Sequence, residues 1–413
     1  MKKVPELLMP AGSFDKLKIA YMYGADAVYC GVPRFSLRAR ENEFTMETLA
    51  QSVQTAREWE KKIYFTVNGI PRNSKVPSYS KYLKEMASFK PDGFIMADPG
   101  LIMITREEAP EINVHISVQA NTMNYATVKF WQKIGATRVI LSREVSIDEI
   151  KKIREEVPEI ELEVFVHGAI CIAHSGRCLM SNYFKNRDAN QGACNNACRD
   201  KLQVFVTNPR QNDELMPMEE DEDGTFLMNS KDLRAIEFLE EITEAGVDSI
   251  KVEGRTKNDY YVALVARTYR KALDNLRENK EFDRNLLKEL DKVASRGYFS
   301  GFLTRGMEDR VSVEEREFQN YKEGLSRIQS QVYVGRVNKF EPTESLIRIE
   351  IKNKIQKGDV LEVYSPGKEF TNTFEVTEIF FKNQPKNVIS GGMGEVSLKV
   401  PYEILENSFL SLV

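Results

Sequence analysis

The sequence predicts an α/β protein: a (β/α)8 barrel of the TIM type with a cysteine-bearing insertion after its seventh strand, followed by a small C-terminal all-β barrel. Three observations predict it. Eight short β-rich runs alternate with amphipathic stretches over about 280 residues, the pattern of repeated βα units. The seventh connection, from Gly168 to about Lys231, is far longer than the others. From about Val332 the chain turns to short strands set off by Gly358-Asp359, Pro366-Gly367 and Gly391-Gly392. A doubly wound open sheet is the second reading, since alternation alone does not decide closure.

The barrel strands are expected at Glu6–Met9, Ala27–Cys30, Ile63–Val67, Gly93–Ala97, Val114–Val118, Val139–Ser142, Glu161–Val166 and Ser249–Glu253. Between them, Thr45–Lys61, Tyr125–Ile134 and Ile147–Val157 repeat apolar residues at helical spacing. The long seventh connection holds an expected hairpin, Gln203–Thr207 with Thr225–Met228, whose acidic run Glu219–Asp223 reads as a solvated tip. Helices around Tyr260–Glu278 and Arg284–Ser295 follow the eighth strand. The C-terminal strands are expected at Tyr333–Asn338, Ser345–Ile351, Val360–Tyr364, Asn372–Phe381 and Glu395–Leu398. This divides the chain into a barrel domain, 1–305, a polar linker, 306–330, and a C-terminal domain, 331–413.

In a closed barrel one face of each strand packs on the outer helices and the other faces the lumen. Alternation then places Glu6, Tyr64, Thr66, Asn68, His115, Ser117, Gln119, Glu163, Phe165, His167, Ser249, Lys251 and Glu253 inside. Barrel interiors are normally branched and apolar, and an unpaired buried charge is costly. These groups therefore form either an ion-pair network or a polar substrate pocket, and the pocket is the expectation. Active sites of this fold lie at the carboxyl ends of the strands. That selects Gln119, His167, Lys251 and Glu253 as candidate catalytic residues. Asn68, Arg143, Glu144, Arg255 and the Arg38/Arg40 loop are candidates for binding substrate.

The composition restricts the partners. Formal net charge is −4, so any nucleic-acid site must be a local basic patch. No apolar run is long enough to span a bilayer, and Pro5, Glu6, Pro10 and Gly12 interrupt any leader-like start, so a cytoplasmic protein is expected. Of five cysteines, four fall in one window: Cys171-x6-Cys178, then x15, then Cys194-x3-Cys198. In a reducing compartment such a cluster indicates a metal site, and thiolates favour zinc or iron–sulfur clusters. The spacing matches neither zinc ribbons nor ferredoxin runs and leaves both metals open. A nucleophile pair of Cys171 with His167 or His174 is the competing reading. Cys30, outside the window, reads as a small buried residue. The zinc-protease, serine-hydrolase, P-loop and dinucleotide motifs are all missing from the sequence.

The stretch Glu163-Val-Phe-Val-His-Gly-Ala-Ile-Cys171, followed by Gly176-Arg-Cys178-Leu-Met-Ser181, resembles the signature of peptidase family U32, the collagenase-like family. Glu6 to Gly12, Ala27 to Gly31, Met228 to Leu233 and Val247 to Arg255 fit the same family. The resemblance covers about residues 4–305, and the C-terminal part is similar to the family's accessory domain. In layout the chain is most similar to members that hydroxylate tRNA at C5 of the wobble uridine without oxygen. For those members prephenate, or a similar small dicarboxylate, is the implied hydroxyl source. The resemblance implies a [4Fe–4S] cluster on Cys171, Cys178, Cys194 and Cys198, with zinc as the alternative. It implies tRNA as partner, and assembly with itself or with a related protein is left open. The family's other implied activity is proteolysis. A zinc-stabilised, non-catalytic scaffold for RNA or protein is the third reading. For RNA, the candidate grips are Arg199-Asp-Lys201, Arg267–Lys271 and Arg296 to Phe302.

Overall fold

The computed structural model describes residues 2–37, 42–171, 173–174, 177, 190, 205–206, 216–217, 220–221, 224–225, 231–307, 330–368 and 371–413. Eight parallel strands close into a barrel: Glu6–Ala11, Ala27–Gly31, Lys62–Val67, Gly93–Met96, Val114–Ile116, Arg138–Ile140, Glu161–Ala169 and Ser249–Val252. The eighth strand pairs in parallel with both the first and the seventh, which rules out the open sheet. Helices follow most strands, and several begin at a side-chain cap. Thr45 and Ser146 form reciprocal capping boxes, and Asp98, Asn124 and Asn258 each accept an amide of the first turn.

Two short strands extend the wall beyond the seventh. Asp232–Arg234 runs antiparallel to it, and Tyr298–Phe299 pairs with Asp232–Arg234. The expected hairpin is corrected here. Phe205–Val206 pairs with Met216–Pro217, and Gly224–Thr225 pairs with Glu220–Asp221 across the acidic run. The nearer partner closes the shorter loop and wins on loop entropy.

The C-terminal part is an antiparallel eight-stranded sheet that curls as a half-barrel. Its centre is Val332–Glu341, paired with Leu346–Ile351 on one side and Phe409–Leu412 on the other. The latter strand was not anticipated; its four residues follow a turn at Asn407, whose φ is +64°. Val334, Ile347, Ile349, Leu361, Leu398 and Leu410 form its core. Tyr364 and Phe409 instead join the barrel's core. Tyr260 of helix Asp259–Arg277 stacks on Tyr333 at 4.8 Å, and the Tyr23 hydroxyl donates to the carbonyls of Tyr364 (2.7 Å) and Asn407 (2.9 Å). Arg336 pairs with Asp15 and Asp259, and Lys292 with Glu362, so aromatic area and ion pairs both hold the two parts together.

Candidate functional site

Arg138 organises the amino-terminal half of the lumen. Its guanidinium, only 2 % exposed, bonds Glu6 at 2.7 Å, Glu161 at 2.7 Å and Glu163 at 3.1 Å, and lies over the Tyr64 ring. The Tyr64 hydroxyl donates to Glu6 at 2.9 Å, and the Ser249 hydroxyl to the same carboxylate at 3.1 Å. Burial pushes the Glu6 carboxyl up, but Arg138, Lys62 and the Tyr64 hydroxyl together outweigh it and hold the group below the usual carboxylate range. The His115 ring packs at a tilt against Tyr64, 4.7 Å between centroids; burial and the Arg138 charge push it well below the usual imidazole range, so it is neutral.

Lys251 belongs to this network. Its ammonium pairs with Glu163 at 2.9 Å and lies over the Tyr29 ring at 4.3 Å. Burial lowers its pKa against the opposing pull of Glu163. Around and beyond it, Leu8, Tyr29, Ile95, Ile140 and Phe165 fill the lumen, joined by Ile170, Leu233 and Phe299. The expectation of a polar pocket inside the barrel is thus corrected. The interior is a paired ionic layer under an apolar layer, and the two short added strands supply part of the plug. Charges that alternation turned inward found partners across the lumen, which costs less than leaving them hydrated in a cavity. Arg138, the centre of this layer, lies one residue before the strand that the sequence pattern starts at Val139; its long aliphatic stem and single charge carry no local signal.

His167 is also corrected. Its strand bulges against the eighth, so that Phe165 faces Lys251 but His167 faces Val252, an outward position. The ring is therefore caged by Tyr261, Tyr269 and Tyr298; the Tyr269 hydroxyl donates to the Val166 carbonyl at 2.9 Å and its oxygen lies 3.4 Å from His167 Nδ1. Burial and the nearby Arg234 and Lys257 charges push it down to about 3. Gly168, next along, has φ +99°, and a Cβ there would sit 2.4 Å from the Glu253 carbonyl oxygen. That close approach brings the start of the cysteine segment against the end of the eighth strand.

The remaining candidates assemble on the carboxyl face. The Arg143 guanidinium lies over the Phe165 ring at 4.1 Å, donates to the Ala169 carbonyl at 3.1 Å and reaches Glu253 at 3.5 Å; its Nε has no partner among the described residues. Ser142 donates to Glu144, which lies 3.9 Å from His174. Asn121, in the left-handed region at φ +54°, donates to His174 Nδ1 at 2.6 Å, and Arg177 donates to the Gln119 carbonyl at 2.7 Å. These two bonds, which the sequence did not suggest, tie the fifth connection to the cysteine segment. The Gln119 side-chain oxygen is buried without a partner among the described residues. Cys171 is exposed at the head of the insertion. Cys178, Cys194, Cys198, Arg38 and Arg40 lie outside the described residues. Cys30 is fully buried, and burial raises its thiol pKa, as a structural residue requires.

Arg255 and Asn68 hold the loop after the second strand. Arg255 donates to Ser36, Thr66 and the Leu37 carbonyl at 3.2, 3.1 and 2.7 Å, and Asn68 accepts the Leu37 amide at 3.1 Å. Two candidate RNA grips are engaged in the fold: Arg267 lies over Tyr364, Arg270 pairs with Asp26, and Arg296 pairs with Asp232. Arg199 and Lys201 lie outside the described residues.

Among the described residues no helix is long and apolar enough to cross a membrane. The profile described as "Peptidase family U32" matches residues 12–312, and "Peptidase family U32 C-terminal domain" matches residues 329–410. "tRNA hydroxylation protein P" of Haemophilus influenzae is 43% identical, covering 97% of this chain and 94% of that protein. The protein of the same name from Escherichia coli is 44% identical, covering 97% and 94%. A protein named "Collagenase" from Porphyromonas gingivalis is 28% identical, covering 87% and 86%. With both of its parts matched and these identities sustained along nearly its whole length, the chain belongs to peptidase family U32.

Proposed function

We propose that this protein is a tRNA-modifying enzyme that replaces the C5 hydrogen of the wobble uridine with a hydroxyl group, in the cytoplasm and without oxygen. The observation that carries this reading is the 43–44% identity, over 97% of the chain, to two proteins named for tRNA hydroxylation. Four thiols in one segment are a soft donor set suited to a [4Fe–4S] cluster, and Cys171 is exposed at the carboxyl face where such a group is reachable. Cys171, Cys178, Cys194 and Cys198 would hold it, and it would supply redox chemistry that protein side chains lack.

The chain's own residues supply binding and orientation. Arg143, over the Phe165 ring and with an Nε–H that has no partner among the described residues, suits one carboxylate of prephenate or a similar dicarboxylate. The buried Gln119 amide oxygen is an acceptor for the N3–H of uracil. Glu253, 3.5 Å from Arg143, keeps that guanidinium oriented. A peptidase reading draws on the relative named "Collagenase", but His167, one candidate base for Cys171, faces tyrosines, and His174 is bonded to Asn121.

The test is nucleoside mass spectrometry of tRNA from a strain lacking the gene, complemented with wild type or Cys171→Ser. Restoration of wobble 5-hydroxyuridine by wild type alone is expected. Unchanged modification in the deletion strain overturns the reading. Protein purified without oxygen should be brown and contain iron and sulfide in equal amounts. A colourless protein with one zinc per chain would instead support the scaffold.

A further inference from the structure

A second feature of the carboxyl face is not absorbed by this chemistry. The loops after the second and third strands meet in a groove of about 160 Å³ lined by Pro33, Arg34, Phe35, Gly69, Pro71 and Lys75. Its walls are held in place. Phe35 adopts a left-handed φ of +63°, its carbonyl accepts the Gly69 amide at 2.7 Å, and its ring packs edge-on against Tyr79 at 5.2 Å. Arg34 rests over the Phe35 and Tyr82 rings, and its amide donates to the Tyr82 hydroxyl at 3.3 Å. The Ile70 amide donates to the Asn190 carbonyl at 3.2 Å, which joins the groove to the cysteine insertion. Arg255 joins it to the eighth strand through Ser36 and the Leu37 carbonyl.

The charge of these loops departs from that of the chain. Residues 32–37 and 68–84 contain Arg34, Arg72, Lys75, Lys81 and Lys84 and no Asp or Glu, in a protein of net charge −4. Arg34 and Lys75 are exposed and make no ion pair among the described residues. By contrast, Arg138, Arg154, Arg270, Arg296 and Arg336 each pair with a carboxylate. Arg34 and Lys75, both on the lining of the groove and neither in an ion pair among the described residues, suit successive phosphates of a chain.

We propose that this groove is an RNA-backbone subsite: Arg34 and Lys75 bind phosphates flanking the nucleotide delivered to the carboxyl face, and Pro33 and Pro71 form its apolar floor. The inference rests on the tRNA reading above and adds where the polynucleotide is gripped. Phosphate contacts position the strand without reading its sequence, so the groove should tolerate different RNA sequences.

The test uses the full chain and a fluorescein-labelled anticodon stem–loop RNA with a wobble uridine, followed by anisotropy across a salt series. The double variant Arg34→Gln/Lys75→Gln changes only exposed side chains, so folding is expected to be retained and is checked by thermal melting. It should bind at least about tenfold more weakly at low salt, and its log Kd against log salt slope should fall by about 1.4, from roughly 0.7 per lost single-strand phosphate contact. Lys382→Gln/Lys386→Gln, with the same charge change on the C-terminal sheet, should leave both quantities near wild type. Equal weakening by both pairs would mean unspecific attraction and would overturn the subsite. So would wild-type affinity and slope in Arg34→Gln/Lys75→Gln. Failure of the wild type to bind the RNA at all would instead overturn the tRNA reading.

Discussion

Replacing Arg138 by Met should destabilise the barrel by about 3–5 kcal/mol, the cost of breaking a buried charge pair by removing one partner. The structure allows the magnitude to be worked through. Glu163 is fully buried and Glu6 is 10 % exposed, so neither carboxylate can recover full hydration when the guanidinium at 2.7–3.1 Å is lost. Lys251 still serves Glu163 at 2.9 Å and Lys62 serves Glu6 at 3.3 Å, which keeps the loss from exceeding that range. The pH dependence has a definite sign. The folded pKa of Glu6 is depressed, because Arg138 with Lys62 and Tyr64 outweighs burial. Its stabilising contribution is therefore present above its unfolded value near 4.5 and is lost as pH falls through the lower folded value. Arg138→Met removes that contribution, so the gap between variant and wild type should be full at pH 7 and shrink below about pH 4.5. Urea unfolding, followed by far- and near-ultraviolet circular dichroism to check that the transitions coincide, measures both quantities. A loss under about 1 kcal/mol, or a gap that does not change with pH, would falsify the assignment of Arg138 as the charge that compensates the lumen.

His167 supplies a second pH signature. It is held neutral in the folded state, at about 3, whereas the unfolded imidazole titrates near 6.5. Below pH 6.5 the unfolded chain takes up the extra proton, so stability falls with a slope of up to about 1.4 kcal/mol per pH unit from this residue. His167→Phe, which suits the aromatic cage, should flatten the stability profile between pH 6.5 and 4, as read from thermal midpoints; an unchanged slope counts against the buried neutral ring. Gly168→Ala should cost more than about 1 kcal/mol, because φ is +99° and the new Cβ would meet the Glu253 carbonyl oxygen at 2.4 Å. A melting temperature equal to wild type would show that the close approach of the seventh and eighth strands is not tight.

Much of this architecture could be read along the chain. Period-two alternation set Tyr64, His115, Glu163 and Lys251 on the inner face of their strands, since neighbouring side chains of a strand point to opposite sides. The grouping of four cysteines after the seventh strand marked the insertion, because shared ligands need nearby sulfurs. What alternation could not supply was the identity of partners. Arg138 and Glu6 are 132 residues apart and meet only because the barrel closes. Closure therefore turned a row of inward polar residues into a sealed ionic layer, where the sequence had suggested an open pocket. The bulge that turns His167 outward depends on the register between the seventh and eighth strands, and the groove between Arg34 and Lys75 depends on two loops meeting over Gly69. Local periodicity reports which face a residue occupies, whereas register, closure and loop docking are set by the energy of the whole packed chain.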